Sequence, residues 1–149
     1  MNIVEQINDA MTSRIATVLG VNYQELNYII NVSKNNFKSN AKRYGVRPLA
    51  ATTASTITRV YTLDHEFEVV LSHDYIPNPA NDQDQRDKTF LLFDKMDEIF
   101  KDLFCSKAGL NNIILNIDEI NMAEPEYSVA ESVVILRSKL RVKYRQALV

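Results

Sequence analysis

RSKLRVKYR, residues 137–145, is the stretch on which the fold turns. Arg137, Lys139, Arg141, Lys143 and Arg145 occupy every second position, and Ser138, Leu140, Val142 and Tyr144 fill the positions between. A period of two is that of a β-strand, whose successive side chains point to opposite faces. As a helix, the same residues would scatter charge around the whole circumference. One face of this strand is therefore cationic, and the other is mostly apolar and turned to a core. Two accounts of the cationic face stand side by side. It is a solvated sheet face, or an edge strand blunted against unwanted pairing. Alternatively it meets phosphate or acidic protein, since a merely soluble face intersperses both signs. Five like charges with no acid among them repel, so an acidic partner, in the same chain or another, would relieve the stripe.

The residues before it supply the rest of the fold. Ile3, Ile7, Met11, Ile15 and Val18, widened by Val4 and Leu19, recur at helical spacing and predict an amphipathic helix over residues 2–19, capped by Gly20. Leu26 to Val32 reads as a strand. Ile57, Arg59, Tyr61 and Leu63, a turn at Asp64-His65-Glu66, then Phe67, Val69 and Leu71 read as a hairpin. Both His65 and His73 read as surface histidines, because no further ligand lies at metal spacing. Asp82 and Gln85 resemble a capping box for a helix over 84–106. Its core stripe is assigned to Phe90, Phe93, Phe100 and Phe104 with Leu92, Met96, Ile99 and Leu103. The opposite face carries Asp94, Asp97, Glu98 and Asp102 among lysines, an acidic surface open to a partner. Strands over 112–120 and 129–145 close the chain.

Residues 33–56 stand apart. Lys34, Lys38, Lys42, Arg43 and Arg47 cluster without an acid, and AATTAST follows with no large apolar side chain. A structureless stretch this long inside a compact domain usually has a function, so it reads as a loop or an extended arm ordered by a partner, with Lys38, Lys42, Arg43 and Arg47 as its contacts. With the C-terminal five, this cluster brings ten of the 17 Lys and Arg residues into two short stretches, although the net charge is only -2. The whole is a single α+β domain over 1–149: a mainly antiparallel sheet, two amphipathic helices packed on one face, and a long extended arm.

Function classes narrow quickly. The three glycines build neither a GxGxxG turn nor a P-loop, no GxSxG occurs, and no RNA-recognition or zinc-finger signature is present. Cys105 is the only cysteine, so no intrachain disulfide and no multi-cysteine metal site can form; beside Phe104 it reads as a buried, inert thiol. No apolar run reaches 18 residues, which predicts no membrane span, and the N-terminus lacks a signal-peptide pattern. A reducing cytoplasm, or something assembled there, is the expected setting. Catalytic groups meet in space and not along the chain, so an enzyme stays open, but no residue asks for one. No catalytic, cofactor-binding or metal-ligating residue is assigned. The informative features are surfaces, as in an assembly component.

The order of elements resembles that of the tail terminator (tail completion) proteins of long-tailed bacteriophages. The likeness is carried by the N-terminal helix, NYIINV with its basic continuation to YGVRPLA, TITRVYTLDHEFEVVL, the Phe-rich helix and ESVVILRSKLRVKYRQ. It spans nearly the whole chain and rests on pattern and length. It implies a structural virion protein of the tail-neck region, assembled in the host cytoplasm as a homo-oligomer, a hexameric ring. That ring would bind the tail tube protein on one side and the head–tail connector protein on the other, stopping tube growth. DNA would pass through its channel without sequence specificity. The alternatives are a head-completion subunit of the connector and a cytosolic nucleic-acid-binding module using the basic strand.

Overall fold

The computed structural model describes residues 2–25, 42–57, 59–129 and 132–147. The strand expected over Leu26–Val32, with Lys34 and Lys38, lies outside the described residues. Helix α1 spans Ile3–Leu19 and α2 spans Gln83–Ser106. The strands are β1 (Gln24–Glu25), β2 (Arg43–Ile57), β3 (Val60–Asp74), β4 (Ile114–Met122), β5 (Glu126–Ser128) and β6 (Val133–Ala147). They form one sheet in the order β1-β2-β3-β6-β4, and β5 also pairs with β6. The short β1–β2 pairing is parallel; every other pairing is antiparallel. The chain is thus α+β, as the period-two and period-3.6 stretches dictate.

Both helices lie on one face of the sheet. Helix α1 buries Ile7, Met11, Ile15 and Leu19, one residue per turn, and Asn2 starts it by accepting a hydrogen bond from the Glu5 N–H (2.8 Å). Gly20 ends it at φ 83°, a conformation that costs little without a Cβ. Helix α2 buries Thr89, Leu92, Met96, Ile99, Phe100 and Leu103. Against them pack Phe67, Val69 and Leu71 of β3 and Val134, Leu136, Leu140, Val142 and Tyr144 of β6. Between the helices, Arg14 donates from Nε (3.0 Å) and Nη2 (2.5 Å) to the two carboxylate oxygens of Asp102.

Several expectations are corrected. The hairpin does not turn at 64–66: β3 runs unbroken from Val60 to Asp74, and the chain reverses between Ile57 and Val60, with Arg59 at φ 61°. The polar trio Asp64-His65-Glu66 holds no residue that breaks a strand, and its alternation continues that of its neighbours. His65 and His73 are therefore buried and not surface residues, at 7% and 5% exposure. From Arg43 onward the expected arm is strand β2, because its β-branched threonines suit extended backbone and its main chain pairs with β3. Phe90 and Phe104 are exposed, and Thr89 takes the core position beside Phe90. Cys105, one step past Phe104, is exposed as well. Asp82 precedes α2 without making a side-chain cap; Asn81 Oδ1 accepts from the Gln83 N–H instead.

Candidate interaction surfaces

The basic stripe lies where its period placed it, on the sheet face opposite the helices. Its inward neighbours Ser138, Leu140, Val142 and Tyr144 are buried, while Lys139, Arg141 and Arg145 are exposed. Yet β6 is an interior strand, flanked by β3 on one side and by β4 and β5 on the other. The edge-strand account of its charges is thereby set aside.

Its neighbours carry acids at the same period. In register with β6, Asp64 lies opposite Lys143, Glu66 opposite Arg141 and Glu68 opposite Lys139. From the other side Asp118 of β4 also lies opposite Arg141. Opposite charges directly across strands attract, at about 0.2–1 kcal/mol each. The sheet face is thus a set of alternating columns: basic on β6, acidic on β3.

The best-formed contact in these columns is centred on Glu68, a carboxylate only 5% exposed. Its Oε1 accepts from Arg47 Nε of β2 (2.8 Å) and from Arg137 Nη1 of β6 (3.3 Å). Arg137 donates in turn from Nε to Glu126 Oε1 of β5 (3.2 Å). Four strands are joined through one buried carboxylate, which would be costly to desolvate without these partners. Lys143 Nζ stands 3.9 Å from Asp64 Oδ1.

The other charged candidates divide. Arg43 and Arg47 are half-buried at the base of β2, and Lys42 precedes it; Lys38 lies outside the described residues. On α2, Asp102 is turned to Arg14 of α1 and so ties the helices together. Asp97 pairs with Lys101 (2.9 Å) and Glu98 with Lys95 (3.6 Å), both within the helix. Asp94 is exposed and has no ion pair among the described residues. The acidic helix face and the basic strand lie on opposite sides of the sheet within one copy.

Two further surfaces stand out, the first within the segment expected as a coreless arm. Beyond Pro48, β2 continues as an exposed edge of the sheet: every residue from Ala50 to Ile57 is exposed, while its partner β3 is paired on the other side with β6 as far as Val60. Two register irregularities, between Pro48 and Ala51 and between Thr53 and Ser55, bend it on the way out. Near its tip Ile57 is 73% and Val60 37% exposed. The other feature is a groove of about 530 Å³ between the first turns of α1 and the sheet, lined by Ile3, Val4, Glu5 and Asp9 on one side and Pro48 and Gln146 on the other.

The buried histidines are structural. His65 Nε2 donates to the Leu49 carbonyl (2.8 Å), which leaves Nδ1 to accept from the Tyr144 hydroxyl (3.1 Å). Burial lowers the His65 pKa, and the Leu49 carbonyl only partly offsets this. His73 is lowered for the same reason, partly offset by the carbonyl and carboxylate of Asp74. Burial raises the Tyr144 hydroxyl. Among the described residues no group of three His, Cys, Asp or Glu side chains could hold a metal ion.

No protein-family model matches this chain, and no curated protein matches it in sequence.

Proposed function

We propose that this chain is a ring-forming structural subunit of the tail-terminator kind, capping a tail tube and offering the surface on which a head connector docks. The observation that carries the reading is the exposed edge segment Ala50–Ile57 of β2. A long edge strand with every side chain exposed, and with pairing among the described residues only to β3, is a template for another chain, and a partner that covers it supplies the missing contacts. The α+β architecture of the described residues is the fold class that the sequence resemblance implies. The proposed partners are copies of itself in a hexameric ring, the tube protein, the connector protein and the DNA that crosses the channel.

The competing use of the basic strand as a phosphate-binding surface is weakened by the acids interleaved with it. Asp64, Glu66, Glu68 and Asp118 would meet an approaching polyanion together with the five bases. The test combines the chain with tubes polymerised from the tail tube protein of the same virus. Sedimentation and electron microscopy should show closed rings on tube ends and arrested tube growth. A strict monomer that neither binds tubes nor stops their growth would overturn the reading. So would affinity for duplex DNA that falls steeply and log-linearly with salt, the behaviour of a phosphate binder.

A further inference from the structure

The hairpin tip and the α1 groove have complementary character. The tip presents two exposed apolar side chains, Ile57 and Val60, on either side of the turn that holds Arg59. Arg59 is exposed and has no ion pair among the described residues. The groove presents Ile3 and Val4, which are half-buried against the edge of the core, together with Pro48. Glu5 and Asp9, one helical turn apart, stand exposed along the same groove, and neither has an ion pair among the described residues. A cation flanked by two aliphatic side chains thus matches in character a slot of aliphatic side chains flanked by two carboxylates.

We infer that the groove beside α1 receives the β2–β3 hairpin tip of a second copy of this chain. Ile57 and Val60 enter against Ile3, Val4 and Pro48, and Arg59 lies between Glu5 and Asp9. Tip and groove are different surfaces of one molecule, so the contact is head-to-tail. Such a contact repeats around a ring when its rotation closes and otherwise continues as a filament. Burying the apolar tip supplies attraction without direction, and the charge pair fixes register and rejects wrong partners. The inference rests on the assembly reading above and adds to it the joint between subunits.

A charge exchange tests it. Self-association of the chain, free and on tube ends, is followed by sedimentation velocity, with thermal melting as the check that each monomer folds. Arg59→Glu should weaken association tenfold or more, and so should Glu5→Lys combined with Asp9→Lys. Joining all three substitutions should restore it to within about threefold of wild type. Ile57→Ser leaves every charge in place and should also weaken association about tenfold, so the inference stays open to refutation if the α1 variants melt poorly. Rings that form normally with Arg59→Glu or Ile57→Ser, or a triple variant no better than its parents, overturn the joint and leave the ring reading standing. Charge-restored association by a chain that never binds tubes supports the joint and removes the tail-terminator function. A wild-type chain that associates under neither condition overturns both.

Discussion

RSKLRVKYR and AATTASTI lie in one sheet, separated only by β3, and they behave as opposites. RSKLRVKYR has the composition of a surface made for a partner, with five bases in nine residues. In the folded chain it is an interior strand whose alternate residues fill the core and four of whose five charges, all but Arg145, lie opposite or in contact with acids on neighbouring strands. AATTASTI is featureless by composition, with nothing larger than threonine before Ile57. It is the part the fold leaves uncovered. A conspicuous charge pattern can be answered within its own chain, whereas small side chains extending past the core leave a surface that only another molecule can cover.

Four comparisons would break this contrast or sharpen it. Phe67 is fully buried where β3 crosses the core, and Phe67→Ala should cost about 3–5 kcal/mol. Thr52→Ala on the exposed edge of β2 should stay within about 0.5 kcal/mol. Urea denaturation of both variants measures the difference, and equal costs would mean that the hairpin packs against the fold after all. Next comes Glu68→Ala, which leaves Arg47 without its partner and Arg137 with Glu126 alone. A loss of about 1–3 kcal/mol is expected, below the figure for a fully buried pair because Arg47 is partly solvated. A loss under about 0.5 kcal/mol would show that the interleaved charges do not bind the strands together.

The period of two was legible, and so was the packing it implies. Leu140, Val142 and Tyr144 point inward as the spacing of RSKLRVKYR requires, and α1 buries the stripe from Ile7 to Leu19. The acidic half of the ladder was legible too, in principle: Asp64, Glu66 and Glu68 alternate with His65, Phe67 and Val69. As a turn, Asp64-His65-Glu66 conceals that column, although its alternation with the neighbouring residues is unbroken and it holds no Gly or Pro. The Arg14–Asp102 clamp joins residues 88 positions apart, a pairing that the period of each helix cannot reveal. The four phenylalanines of α2 were weighted by size, whereas the helical period selects Thr89, Leu92, Met96, Ile99 and Leu103 and leaves Phe90 and Phe104 at the margin. The groove depends on where α1 rests on the sheet, and no local pattern encodes that.

Acid should reach the covered half of the molecule. The folded chain holds His65 and His73 neutral with lowered pKa values, while the unfolded chain takes up protons near 6.5. More protons are then bound when unfolded, so stability is full above pH 6.5 and declines as pH falls from there through the folded values. A lower melting temperature at pH 5.5 than at pH 7.5 is expected, with a shallower decline in His65→Gln. A flat profile would place both rings in water. At the stripe itself the effect of each contact is small. Arg141→Glu with Lys143→Glu sets like charges against Glu66, Asp118 and Asp64, at about 0.2–1 kcal/mol for each exposed pair. The monomer should still fold, and assembly should change less than threefold. Assembly or DNA delivery lost with an intact monomer would make the stripe an outward contact.

Hydrogen exchange compares the two regions in one experiment. In the free chain the amides of Ala50–Ile57 should exchange quickly, and those of Val133–Tyr144 slowly, as fits an exposed edge strand and a core strand. When the chain is assembled on tube ends, protection should rise over Ala50–Ile57 and at the first turns of α1, with little change along β6. Protection that appears instead along Arg137–Arg145 and its neighbours Asp64–Glu68, with the hairpin still exchanging quickly, would contradict the account.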